Sequence, residues 1–125
     1  MFACVAAMCL SACDTGSDQQ EIQAATSPDG LVKARIVEEG FGATVSDVSS
    51  VQLLVRDRDP GEVLRADRVQ ALTLRWRDPR TLDIEMACGR IYRFSNFATV
   101  MDKDGKLLYR VNISLKTALP CPADQ

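Results

Sequence analysis

In the last third of the chain Leu107, Tyr109, Val111, Ile113 and Leu115 stand at every second position, with Arg110, Asn112 and Ser114 among the residues between them. A side-chain period of two belongs to a pleated strand with one face toward a core and one toward water. A helix would scatter such residues around its circumference. The same alternation recurs upstream. Val32, Ala34 and Ile36 oppose Lys33 and Arg35, and Val51, Leu53 and Val55 oppose Gln52. Leu72, Leu74 and Trp76 oppose Thr73 and Arg75, while Leu82, Ile84 and Met86 oppose Asp83 and Glu85.

A further strand is expected over Arg90 to Phe97, and the last over Lys106 to Lys116. Between these runs lie turn residues with a mechanism. Ser27-Pro28-Asp29-Gly30 supplies a preset φ, a side chain that bonds its own backbone, and a residue tolerant of positive φ. Asp78-Pro79-Arg80 and Asp104-Gly105 mark two more turns. Pro60-Gly61 marks another, with the rest of 58–68 readable as strand or loop. Six strands on short links predict an all-β fold: a single small antiparallel meander forming a barrel or sandwich.

The chain has 125 residues, 46% of them hydrophobic and 26% charged, which fits one ordinary globular domain. Its net charge of −2 hides a split. From Asp14 to Val55 there are seven acidic and two basic residues; from Arg56 to Lys116 there are thirteen basic and nine acidic. The basic residues are interleaved with acids and no recognised nucleic-acid motif accompanies them, so nucleic acid is not an expected partner.

The chain begins MFACVAAMCLSAC, without a charged residue before Asp14. A run of this length is too short to cross a bilayer as a helix, which takes roughly 20 residues, but suits the apolar part of a signal peptide. Leu10-Ser11-Ala12-Cys13 resembles the lipobox of bacterial lipoproteins, where an aliphatic and two small residues precede a cysteine. The resemblance implies diacylglycerol on the Cys13 sulfur, cleavage after Ala12, and usually an acyl chain on the new amino group. It divides the chain into a signal peptide (1–12), a lipidated cysteine with a flexible tether (13–27) and a β domain (28–125). The tether reading rests on the polar, acidic stretch 14–27, with a short helix over Gln19–Ala25 as its variant. Lipidation implies a membrane-anchored place in the cell envelope facing the periplasm. Asp14 directly after the cysteine resembles the pattern that retains enterobacterial lipoproteins at the inner membrane.

The runs SPDG-LVKARI, Gly42-Ala43-Thr44, Val51-Gln52-Leu53, Trp76-Arg77-Asp78 and Thr81-Leu82 look like those of small exported bacterial lipoproteins of no established activity. In that group a cysteine often precedes Gly-Ala-Thr; here Phe41 stands there.

If the leader leaves and Cys13 carries lipid, Cys88 and Cys121 remain, and an even remainder in an oxidising compartment points to a disulfide. A buried free Cys88, or two metal ligands without companions, are the alternatives. The chain has no histidine, which removes Ser-His-Asp and Cys-His hydrolase chemistry and leaves two distant thiols a poor zinc set. Asp102-Lys103-Asp104-Gly105 resembles the start of a calcium loop, but position twelve of such a loop falls on Ile113, where a bidentate glutamate belongs. A charged turn is expected there, and likewise at Asp57–Glu62. Asp83 and Glu85 share a strand face beside arginines, an arrangement that suits cross-strand ion pairs better than acid–base work.

No catalytic residue, metal site or cofactor is expected. The sequence points to a non-enzymatic, lipid-anchored envelope protein that contacts another envelope protein. The alternatives are a ligand-binding β-barrel and an immunity or inhibitor protein.

Overall fold

The computed structural model describes residues 18–40, 47–55 and 61–117, with the backbone alone for Asp18. Nine strands are found there: β1 (Asp18–Thr26), β2 (Val32–Gly40), β3 (Val48–Val55), β4 (Gly61–Gln70), β5 (Thr73–Asp78), β6 (Thr81–Met86), β7 (Cys88–Phe94), β8 (Phe97–Met101) and β9 (Leu107–Thr117). Helix is absent among the described residues. The strands form two sheets, β1-β2-β3-β4-β7 and β5-β6-β9-β8, which pack as a sandwich and not as a closed barrel.

The core is built from the alternating positions. Val32, Ala34, Ile36, Val51, Leu53, Leu82, Ile84, Val111 and Ile113 are all buried, and Trp76, Phe94 and Tyr109 pack against them from the rim. Their neighbours in sequence point outward and pair across strands. Glu21 bridges Lys33 and Arg35, Arg35 donates twice to Gln52, and Arg65 links Glu39 to Glu62. Half-exposed pairs like these add little each, and their main effect is to keep that face wet and in register.

Three expectations are corrected. The tether does not reach residue 27, because Asp18–Thr26 is strand β1, paired with β2 from Asp18↔Gly40 to Thr26↔Lys33. Neither flexible chain nor the short helix holds there. The segment buries little apolar surface, but the exposed edge of β2 satisfies its backbone groups. Trp76 Nε1 also donates to the Ala25 carbonyl at 2.9 Å, tying the strand to the second sheet.

The expected strand over Arg90 to Phe97 is two strands in different sheets. The switch occurs at Ser95 and Asn96: Ser95 N donates to Val63 O of the first sheet, and Asn96 O accepts from Ile113 N of the second. Finally, the connectivity is not a pure meander, since β6 and β9 run parallel from Thr81↔Asn112 to Met86↔Thr117.

The turns behave as their residues require. Gly30 has φ +77° and donates to Ser27 O, while the buried Ser27 hydroxyl donates to Asp29 Oδ1 at 2.7 Å and accepts from Val32 N. These registers also give the sandwich two ends. Asp18, Gly40, Cys88 and Thr117 lie toward one. The turns at Ser27–Gly30, Pro79–Arg80 and Asp102–Lys106 lie toward the other, where Arg80 stacks over the Tyr109 ring at 4.9 Å.

Candidate functional site

Cys13 and the whole lipobox lie outside the described residues, as do Cys121 and the charged run Asp57–Asp59. Cys88 opens β7 and is buried and disulfide-bonded. It is the one cysteine among the described residues, so its bonded partner lies outside them.

The carboxylates singled out from sequence are held by local partners. Asp83 Oδ1 accepts from the Ser114 hydroxyl at 2.7 Å, and both its oxygens accept from Arg77 at 2.8 and 3.1 Å. The Ser114 bond, followed by Arg77, holds its carboxyl below the usual range. Glu85 is exposed and makes no ion pair among the described residues. The two carboxylates therefore do not converge on a shared site. In the Asp102 turn, Oδ1 accepts from the backbone N–H groups of Asp104 and Lys106 at 2.8 and 2.9 Å, and Gly105 takes φ +83°. That carboxylate is spent on the turn. No cluster of three potential metal ligands occurs among the described residues.

Sequence reasoning did not find the most enclosed charge. Asp67 on β4 is 5% exposed, and its two oxygens accept from Arg90 at 2.9 and 2.7 Å and from the Tyr92 hydroxyl at 2.8 Å. The Arg90 hydrogen bonds hold this carboxyl below its ordinary value against the opposing effect of burial, and the Arg90 guanidinium is pushed up in return. The alternation of β4 is broken by irregular pairing around Arg65 and between Asp67 and Gln70, so no period announced the site. Asp67, Arg90 and Tyr92 form a closed structural knot that joins β4 to β7.

The large exposed apolar side chains are concentrated on three strands. Of the seven large hydrophobic side chains exposed among the described residues, six belong to β7, β8 and β9: Ile91, Tyr92, Phe97, Met101, Leu107 and Leu108. Leu107 and Leu108 are consecutive, so both faces of the β8–β9 hairpin carry leucine near its turn. Arg110 stacks over Phe97 at 4.7 Å. Beside β8 a partly open groove of about 230 Å³ runs between the sheets, lined by Val32, Leu53, Val55 and Gly61 on one wall and Ala98 and Val100 on the other. Of the six, Met101 also lines this groove; scattered apolar residues on a surface are normal.

Comparison with known proteins leaves this geometry to speak for itself: no family model, no curated protein and no solved structure matches the chain.

Proposed function

We propose that the chain is a lipid-anchored protein of the bacterial cell envelope, acylated on Cys13, whose β-sandwich is a non-enzymatic module that binds another envelope protein. The anchoring half rests on Leu10-Ser11-Ala12-Cys13 following an apolar run. The binding half rests on one observation, the six exposed apolar side chains gathered on β7, β8 and β9. Asp67, Asp83 and Asp102 are engaged by arginines or turn amides, and the chain has no histidine to act as a base, which fits a role without catalysis.

The disulfide partner in this reading is Cys121. Strand β9 ends at Thr117 opposite Met86, two residues before Cys88, and Cys121 follows four residues later. That reach suits the roughly 5.5–6 Å between the Cα atoms of a disulfide. An oxidising periplasm favours the bond.

Four residues separate Cys13 from the start of β1 at Asp18, five Cα-to-Cα steps that span about 17 Å fully extended. The anchor therefore holds the Asp18 end near the bilayer. The test is metabolic labelling with a clickable fatty acid in cells producing the chain or Cys13→Ala. Labelling of the first alone is expected, and equal labelling of both removes the anchor. For the binding half, cross-linking of the membrane-bound chain is expected to recover an envelope protein.

A further inference from the structure

We propose that β8 pairs with the β8 of a second copy of this chain about a two-fold axis at Thr99, so that copies anchored on two facing membranes meet by their far ends. This names the partner in the interaction-module reading and rests on it; the facing arrangement rests also on the anchor.

An edge strand invites further pairing unless charge or irregularity prevents it. Three of the four sheet edges have such protection. β1 carries Glu21 and a register shift; β5 carries Arg75 and Arg77; β7 carries Arg90, Arg93 and two register shifts. β8, Phe-Ala-Thr-Val-Met, holds no charge, proline or glycine, and pairs only with β9 among the described residues. Ile113 N donates to Asn96 O at one end of the ladder and Asp102 N to Lys106 O at the other, with Ala98↔Val111 and Val100↔Tyr109 between. The one register shift adds Leu108 to β9 and leaves β8 regular. Even-numbered residues therefore bond to β9, and Phe97, Thr99 and Met101 turn their N–H and C=O groups outward.

Those residues are spaced evenly about Thr99, which suits β8 to itself. An antiparallel two-fold there sets Thr99 against the partner's Thr99 and Phe97 against the partner's Met101. Each opposed pair exchanges both of its backbone hydrogen bonds. Phe97 and Met101 are 46% and 40% exposed, so pairing covers a ring with a thioether where both now face water. Threonine opposite threonine is also a favourable cross-strand pair. On the inner face Ala98 meets the partner's Val100, small against large, along the open side of the groove that both line. No like charges are brought together on β8. Arg110, which pairs with Thr99, stands three strand spacings from its copy, about 14 Å, beyond the screening length of about 8 Å.

The registers leave this half of the edge open. β7 lies beside the other half, from Gln70↔Cys88 to Leu64↔Phe94, and the chain crosses to the second sheet at Ser95 and Asn96 before β8 begins. β8 pairs with Leu107 to Asn112, toward the Asp102 turn, whereas β6 pairs with Asn112 to Thr117, toward Cys88. The two-fold turns the partner end for end, so its β7 lies at the opposite end from this one.

The contact is small. A strand of five residues is about 17 Å long, and two sheets about 10 Å apart with their side chains would bury roughly 350 Å² per copy. That is under half of the roughly 800 Å² per partner of a stable complex, so a single pair is weak and reversible. Many pairs between two membranes hold together by multivalency. The same two-fold points the two Asp18 ends in opposite directions. Upright copies on one bilayer cannot pair this way, and copies on facing bilayers can.

The test uses the full chain, purified from membranes and reconstituted in lipid vesicles. Thr99→Cys puts two cysteines on the axis with Cα atoms about 5.5 Å apart, within reach of a disulfide. Mild oxidation should yield a dimer that the unsubstituted chain does not. Phe97→Cys and Met101→Cys should cross-link when mixed and at least tenfold less when alone. Vesicles bearing the chain should cluster. Thr99 is exposed, so Thr99→Lys and Thr99→Glu should each leave the melting temperature within a few degrees. Each opposes like charges on the axis and should cut clustering at least tenfold. Lysine-variant vesicles mixed with glutamate-variant vesicles should cluster again.

No Thr99→Cys dimer, a Phe97→Cys chain that cross-links alone as well as in the mixture, or no rescue in the lysine–glutamate mixture overturns the β8 pairing. Cross-linked dimers in vesicles that stay apart overturn the facing arrangement, as does equal fatty-acid labelling of the chain and Cys13→Ala. Native membranes that yield a different cross-linked protein and no second copy overturn the pairing and leave the interaction reading intact. Absence of any partner overturns both.

Discussion

Breaking the bond between Cys88 and its proposed partner Cys121 should cost this domain much of its stability. The two are 33 residues apart, and a cross-link across that length removes chain entropy from the unfolded state worth roughly 3–4 kcal/mol. Cys88 is only 5% exposed, and a reduced thiol behaves as a small apolar group, so its burial adds no desolvation cost. The loss should therefore come from the cross-link itself. For a domain near 100 residues each kcal/mol moves the midpoint by about 4–8 °C, which gives a fall of about 12–30 °C. Calorimetry of the oxidised chain, the reduced chain, Cys88→Ala and Cys121→Ser measures it. The last three should melt together, because each lacks the same covalent constraint. A Cys121→Ser chain that melts like the oxidised form, or non-reducing peptide maps that join Cys88 to another cysteine, would refute the pairing.

Three further outcomes follow from the same contacts. Trp76→Phe keeps an aromatic ring but deletes the Nε1 hydrogen bond to Ala25, and should cost about 1 kcal/mol by urea unfolding. Faster amide exchange should be confined to β1, and unchanged exchange there would remove Trp76 as its clamp. Asp67 has its folded pKa lowered mainly by the Arg90 hydrogen bonds, so its contribution is complete above the unfolded value of about 3.9 and fades as pH falls through the lower folded value. Asp67→Asn should lose about 1–2 kcal/mol at neutral pH, tempered because Arg90 is half exposed, and should flatten urea midpoints between pH 2 and 5; identical acid limbs would contradict this. In lipid vesicles a spin label at Asp47 should be relaxed by a headgroup-borne paramagnet far more than one at Lys106, and equal relaxation would show that the Asp18 end is not the one held to the membrane.

Much of the core was legible because one physical rule governs it. Val32, Ala34 and Ile36, and Leu82, Ile84 and Met86, are buried on one face as a period of two requires. β1 was illegible for the opposite reason: an edge strand can be held by its neighbour's backbone, a few ion pairs and one indole, none of which leaves a periodic mark on Asp-Gln-Gln-Glu. In β4 the adjacent Val63 and Leu64 are both buried, and irregular pairing breaks the alternation. The parallel pairing of β6 with β9 was also beyond reach, since alternation in each strand is the same whichever way its partner runs. As for the site, the lack of histidine removed Ser-His-Asp and Cys-His schemes directly, but which strands are outermost emerges only from the strand order.

The correction to β1 changes what an anchor at Cys13 implies. A tether ending at residue 27 would let the domain swing through a wide volume above the bilayer and leave its orientation free. With β1 beginning at Asp18, an anchor at Cys13 would leave four residues between lipid and sheet, and the roughly 30 Å length of β1 would separate the anchored end from the turns at Ser27, Arg80 and Asp102. Leucines on both faces of the β8–β9 hairpin and the groove beside β8 would then sit toward the end projecting away from the membrane. An apolar surface meant for the anchoring bilayer would gain most at the Asp18 end, within reach of the acyl chains. Under the proposed anchoring, its place at the far end would favour a protein approaching from the periplasmic side, and a short tether would stiffen the presentation by limiting the orientations lost on binding.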